Sequence, residues 1–214
     1  MMNDQYCKKC HADVHAGWSS SVHRFSSFNN TPYFASVMET LARRELAPQT
    51  VLPPVFIPEG TRRRATFALF KRGGKLLAGY HKRRTHIVTD IDECLVLEPS
   101  LLRLRTALIP HLAQIVKDSH PADLSVQKID GAFDILLTGP VGRDKAGAPD
   151  LAVREAVAVM AEECDLARVG WRLRERDAIE PLIQRKPVIA PMGTLRVELP
   201  PGAFMQPSQA GQNA

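Results

Sequence analysis

No stretch of the 214 residues approaches the roughly eighteen consecutive apolar residues of a membrane span, and the first thirty hold no apolar core of a signal peptide. A cytoplasmic chain without a membrane partner is the expectation. Cysteine is scarce, four in all, and without a secretion signal four cysteines do not describe a disulfide framework. No Gly-rich turn leads from a strand pattern into a helix pattern, which excludes a Rossmann unit. Helix-turn-helix and zinc-finger spacings are absent as well, so a nucleic-acid reading favours RNA over DNA.

Acid is missing where base is richest. Residues 61–84 hold Arg62, Arg63, Arg64, Lys71, Arg72, Lys75, Lys82, Arg83 and Arg84 and no carboxylate, so the formal +5 of the chain is one +9 segment set against a remainder of −4. A solvated protein face usually mixes signs, and this one does not. As a hairpin the segment puts Arg62 and Arg64 on one face and Lys71, Arg72 and Lys75 at the turn. Lys82, Arg83 and Arg84 then lie at the far end, making a ribbon suited to phosphates. Alternation sends Phe67 to the opposite face as core and leaves Phe70 and Tyr80 open as stacking residues.

What remains is an ordinary globular composition, 44% hydrophobic and 24% charged in 23.7 kDa. That mass suits one large domain or two small ones and is tight for an enzyme with separate cofactor and substrate domains. The first 32 residues lack periodicity. PYFASVMETLARREL has helical spacing, and after the prolines 53, 54 and 58 the period changes from 3.6 to 2. RRRATFALF and KLLAGYH flank Gly73 and Gly74, THIVTD follows, and three adjacent antiparallel strands are predicted. LLRLRTALIPHLAQIVK predicts a helix with Leu101, Leu104, Leu108, Leu112 and Ile115 on one side, kinked or divided at Pro110. SVQKID and AFDILLTG form a second hairpin about Asp130 and Gly131. Asp150 caps a further helix whose stripe is Val153, Val157, Met160 and Cys164. ARVGWRLRE, IEPLIQ, PVIAPMG and TLRVELP are further short strands. The predicted class is α+β, a mostly antiparallel sheet with two or three packed helices.

Two readings of the thiols stand side by side. Cys7-Lys8-Lys9-Cys10-His11 is a CxxCH string, the attachment signature of c-type haem, with His15 and His23 as sixth-ligand candidates and Trp18 to pack on the ring. Alternatively Cys7 and Cys10 are soft ligands for zinc or an iron-sulfur cluster, joined by Cys94, while Cys164 is core. The acids Asp90, Asp92 and Glu93 are assigned turn or cap roles.

RRRATFALF, LLAGYHKRRTHIVTDIDECLVLEPSL, KIDGAFDILLTG, ARVGW and LPPGAFMQPS, in that order, resemble the central domain of the bacterial uracil-5 RNA methyltransferases, in the branch acting on large-subunit ribosomal RNA. The likeness spans about residues 37–212. It implies an RNA-binding domain carrying a [4Fe-4S] cluster, followed by an S-adenosylmethionine-dependent methyltransferase domain. Cys7 and Cys10 match the last two cysteines of the family's CxxxxxCxxC group and Cys94 its distant one, and Met1 stands where the first would fall. Phe204-Met205-Gln206 is similar to the family's FxQ element, which makes Gln206 a cofactor-binding residue. The nucleophile and base would lie beyond Ala214, so no catalytic residue is assigned and the isolated chain is expected to be inactive. Residues 1–34 resemble instead a segment of multihaem cytochromes c.

The expected division is therefore a Cys/His-rich segment at 1–36, a central RNA-binding domain at 37–200, and the start of a methyltransferase domain at 201–214. A monomer with ribosomal RNA as partner is expected. The alternatives are a c-type haem electron-transfer fragment on Cys7, Cys10 and His11, and a metal-stabilised nucleic-acid-binding module.

Overall fold

Strand β1 (Arg64–Arg72) and strand β2 (Lys75–His81) form the first hairpin, with Arg72 opposite Lys75 and both turn glycines at positive φ. A computed structural model of the chain describes residues 31–44, 58–82 and 84–213. The chain divides into two compact units, Met1–Val55 and Phe56–Ala214. The described part of the first is helix α1 (Thr31–Arg43), where Arg43 pairs with Glu39 one turn earlier at 2.6 Å.

The second unit is built on one sheet. Strand β3 (Val88–Asp90) joins β2, and the second predicted hairpin is strand β4 (Pro121–Ile129) with strand β5 (Ala132–Thr138). Its turn is Asp130 at φ 47° followed by Gly131 at φ 84°, the left-handed pair that matches the twist of the flanking strands. Strand β6 (Leu166–Arg172) lies parallel to β5, and strand β7 (Glu180–Gln184) closes the edge. The spatial order is β3-β2-β1-β4-β5-β6-β7, antiparallel except for β5 and β6. That parallel pair requires a crossover, which helix α3 (Leu151–Glu163) supplies. Pro181 is tolerated because β7 is an edge strand. Strand β8 (Ile189–Met192) and strand β9 (Leu195–Glu198) make a separate two-stranded sheet.

Helix α2 (Pro99–Ile115) and α3 cover one face of the large sheet. Leu101, Leu104, Leu108, Leu112 and Ile115 of α2, with Val153, Val157 and Met160 of α3, are buried against Phe67, Leu69, Leu124, Val126, Ile135 and Leu137. Helix α2 runs as one helix through Pro110 and begins with Pro99 in its first turn, where a missing N–H is harmless. Asp150 caps α3 as expected, accepting from the Val153 amide at 3.0 Å. Arg105 of α2, 4% exposed, donates to the Ala78 carbonyl and pairs with Asp90. Asp90 thus fastens the short β3 to the helix.

The helix count is a correction. Among the described residues there are four helices, not two or three, because helix α4 (Gln209–Asn213) is too short to show a period and α1 lies in the other unit. The opposite face of the sheet has its own small core of Ile129, Ala167, Val188, Ala190, Leu199 and Met205.

Gly79 marks the closest strand approach. A Cβ there would sit 1.8 Å from the Thr89 carbonyl oxygen, so Gly79→Ala is expected to break the β2–β3 pairing. Hydrogen exchange should then show the β3 amides losing protection while those of β4 and β5 keep theirs.

Candidate nucleic-acid interface

The +9 segment folds into a hairpin whose charges serve different ends. Arg62 is exposed, and its Nε donates to the Arg64 carbonyl at 3.0 Å. Arg72 and Lys75 are exposed at the hairpin tip, whereas Lys71 is half-buried with Nζ 3.4 Å from the Val116 carbonyl. Lys82 and Arg84 are exposed in the loop after β2. Arg83 lies outside the described residues. Strand rise puts the tip about 25 Å from the Arg64 end. No carboxylate pairs with Arg62, Arg72, Lys75, Lys82 or Arg84 among the described residues.

Arg63 is buried and Arg64 half-buried, and both donate to the C-terminal segment. The Arg63 guanidinium, in a residue 7% exposed, donates from Nε to the Gln206 carbonyl at 3.2 Å and from its two Nη atoms to the Gln209 and Gln212 side-chain oxygens. Burial pushes its pKa down, partly offset by Glu98. Arg64 Nη1 donates to the Met205 carbonyl at 3.0 Å, and its guanidinium stacks 4.5 Å from the centroid of the Phe204 ring. Phe204 itself is 70% exposed and Gln206 is exposed.

These two arginines hold part of a strap, residues 199–212, across the sheet face that the helices leave open. Its other anchor was not foreseen from the sequence. Asp134 of β5 and Arg168 of β6 are direct partners in the parallel pair, 5% and 2% exposed. Arg168 donates Nε and Nη2 to the two carboxylate oxygens at 2.9 and 2.8 Å, and turns Nη1 to the Leu199 carbonyl at 2.7 Å and Nη2 to that of Pro200 at 3.2 Å. Gln127 Nε2 adds Asp134 at 3.0 Å and the Ala203 carbonyl at 3.2 Å. One signal pointed there: a lone Asp in AFDILL and a lone Arg in LARVGW, charges that apolar strands bury only when paired.

Beside the strap runs an open groove of about 350 Å³ lined by Thr66, Ser125, Gln127, Leu136, Arg172 and Glu175, among others. Its floor carries the Thr66 and Ser125 hydroxyls, 3.0 Å apart. Of the predicted aromatics, Phe67 is fully buried as expected, while Tyr80 is half-buried with its ring centroid 5.7 Å from that of Phe67. Phe70 is also half-buried.

Cys7, Cys10 and His11, with the segment 1–30, lie outside the described residues. Cys94 is half-buried against the main core beside Tyr80, whose hydroxyl is pushed up to about 12, first by burial and then by the Cys94 thiol. Cys164 follows α3 as its C-terminal cap, also packed on the core, its thiol pushed up by burial and then by Glu163. Among the described residues no group of three or more His, Cys, Asp or Glu side chains is placed to hold a metal ion. Of the three cysteines that the resemblance assigns to a cluster, Cys94 alone lies among the described residues.

A strand-rich α+β unit with exposed cations at two ends of a hairpin, unpaired among the described residues, has the character of a nucleic-acid-binding domain. Comparison with known proteins points the same way. No protein-family model matches the chain. It is 30% identical over 172 residues to an uncharacterized RNA methyltransferase of Caulobacter vibrioides, a match covering 77% of this chain and 38% of that protein. It is 40% identical over 81 residues to the 23S rRNA (uracil(1939)-C(5))-methyltransferase RlmD of Bordetella pertussis, covering 36% and 16%. The tRNA (uracil-54, C5)-methyltransferase of Pyrococcus abyssi superposes with a TM-score of 0.44 at 13% identity over 81% of this chain and 44% of that one, too low to define a shared fold. The matches are family-level, to RNA methyltransferases, and the chain spans well under half of the length of these relatives.

Replacing Arg168 with Met strands a buried carboxylate and two carbonyls, so a loss of about 3–5 kcal/mol is expected in urea unfolding. Asp134→Leu combined with Arg168→Met should recover much of that loss. A single-variant cost well under about 1 kcal/mol would show that the pair does not anchor the strap.

Proposed function

We propose that this chain is the RNA-binding portion of an S-adenosylmethionine-dependent ribosomal RNA uracil-5 methyltransferase. The carrying observation is the extended sequence likeness to RNA methyltransferases together with five exposed cations that have no counter-charge among the described residues. Phosphate contacts of this kind fix the register and orientation of an RNA without reading its sequence. The 40% stretch shared with the Bordetella enzyme supports ribosomal RNA as the partner.

In this reading residues 37–200 present the RNA, and residues 201–214, packed on the same unit, lead toward the methyltransferase domain. S-Adenosylmethionine would supply the methyl group there. The described residues offer it the exposed Phe204 ring and the exposed Gln206 amide. What this chain contributes is position: Arg63 and Arg64 fix the backbone of residues 205 and 206, so that both side chains project from a fixed base. The acidic remainder of the chain steers polyanions toward the basic hairpin rather than over the whole surface.

Arg63 and Arg64 are poor choices for a binding test, because their loss would loosen the strap. Arg72, Lys75, Lys82 and Arg84 are exposed, and changing all four to Ala should leave folding intact. Anisotropy titration of a ribosomal RNA fragment at several salt concentrations is expected to show affinity falling steeply with salt. The quadruple variant should weaken binding about tenfold or more at ~0.1 M salt and flatten the log–log slope by about 3. Unchanged affinity and slope would contradict the proposal.

A further inference from the structure

A second group of cations, not drawn from the basic segment, shares a depression of about 430 Å³ at the end of the sheet that carries the β1–β2 turn. Lys117, Arg143 and Lys145 line it together with Asp144, Val141, Ala146 and Gly147. All three cations are exposed, and none pairs with a carboxylate among the described residues. One acid shares the lining, Asp144, and its Oδ1 is engaged by the Ala146 and Ala148 amides at 2.8 and 3.1 Å. The neighbouring Asp118 accepts from the Ser119 hydroxyl at 3.2 Å.

The loop is also built rather than trailing. The Asp144 amide donates to the Ala148 carbonyl at 2.9 Å, the Gly147 amide returns to the Asp144 carbonyl at 3.1 Å, and Arg143 bridges to Pro149. Gly147, at φ 88°, supplies the left-handed residue this closure requires. Three cations around one concavity outnumber its single carboxylate, so the depression keeps a net positive charge that favours an anion.

Short links join this depression to the hairpin tip. The Ser119 amide donates to the Lys71 carbonyl at 2.8 Å, Lys71 Nζ lies 3.4 Å from the Val116 carbonyl, Val116 bridges to Val141, and the Lys117 amide donates to the Pro140 carbonyl at 3.3 Å. Arg72 and Lys75 on one side and Lys117, Arg143 and Lys145 on the other therefore occupy one rim of the sheet.

We infer that this rim is a continuous phosphate track, and that the Lys117, Arg143 and Lys145 depression is a second binding site for the RNA backbone. The inference rests on the RNA-binding reading and names surface that the basic segment does not include. An RNA strand crossing the hairpin tip would continue onto the β5–α3 loop, with Arg143 offering a two-pronged donor to one phosphate and the lysines compact charges to its neighbours.

The test uses the full chain and the same ribosomal RNA fragment. Lys117, Arg143 and Lys145 are all changed to Ala, and this triple variant is measured beside the quadruple hairpin variant. The expected result is a loss of about tenfold in affinity at ~0.1 M salt and a log–log slope smaller by about 2, with an unchanged melting temperature because the three side chains are exposed. Lys117→Arg, Arg143→Lys and Lys145→Arg together should restore most of the affinity and the full slope. If the hairpin variant weakens binding and the triple variant matches the wild type, the second site is wrong and the RNA-binding reading survives. If the wild-type chain itself shows no salt-dependent RNA binding, both fall.

Discussion

The Arg168 guanidinium joins two strands and a strap in one buried place. With both Asp134 oxygens and the carbonyls of residues 199 and 200 as acceptors, it turns the parallel β5–β6 pair into an attachment point for chain that would otherwise lie loose. Without that strap the second face of the sheet would lack Leu199 and Met205, two of the six buried residues of its small core. A buried ion pair contributes little net stability over an apolar pair of the same volume, but it fixes which backbone atoms meet. Here that specificity locates residues 199–206, and Arg63 and Arg64 extend it through residue 212.

The modest net charge thus conceals three uses of arginine and lysine. Arg63, Arg64 and Arg168 are structural, bound to carbonyls, amide oxygens and one carboxylate. Arg105 and Lys128 pair with Asp90 and Glu98 around α2. The exposed remainder of the basic segment, and the three cations near the β5–α3 loop, face solvent and form no ion pair among the described residues. This last group suits an RNA partner best, because a phosphate gains little from guanidinium groups as fully engaged as those of Arg63 and Arg168.

Much of the local structure was legible in the sequence because it depends on period and turn chemistry. Asp130 and Gly131 announce a tight hairpin, the Leu101 to Ile115 stripe announces one helix face, and Asp150 announces its cap. The parallel placement of β6 was not legible, since an apolar strand run does not state its neighbour's direction. Nor was the division of labour within the triple arginine: alternation assigned faces correctly for Phe67, but whether Arg63 meets water or Gln209 depends on a segment some 140 residues away. The second basic group escaped notice because Lys117, Arg143 and Lys145 are scattered in sequence and meet only when Val116 bridges to Val141. Cys7, Cys10 and His11 lie outside the described residues.

The central claim is that residues 199–212 are an integral, arginine-held part of the sheet that carries the basic rim. Native-state hydrogen exchange tests it most directly, at the amides of Leu199, Ala203 and Gln212, which donate to the carbonyls of Val188, Pro200 and Ser208. The account predicts that these amides are protected in the wild type and open together when Arg168 is replaced, while β1 and β4 stay closed. Strap amides that exchange freely in the wild type, beside a fully protected sheet, would contradict it.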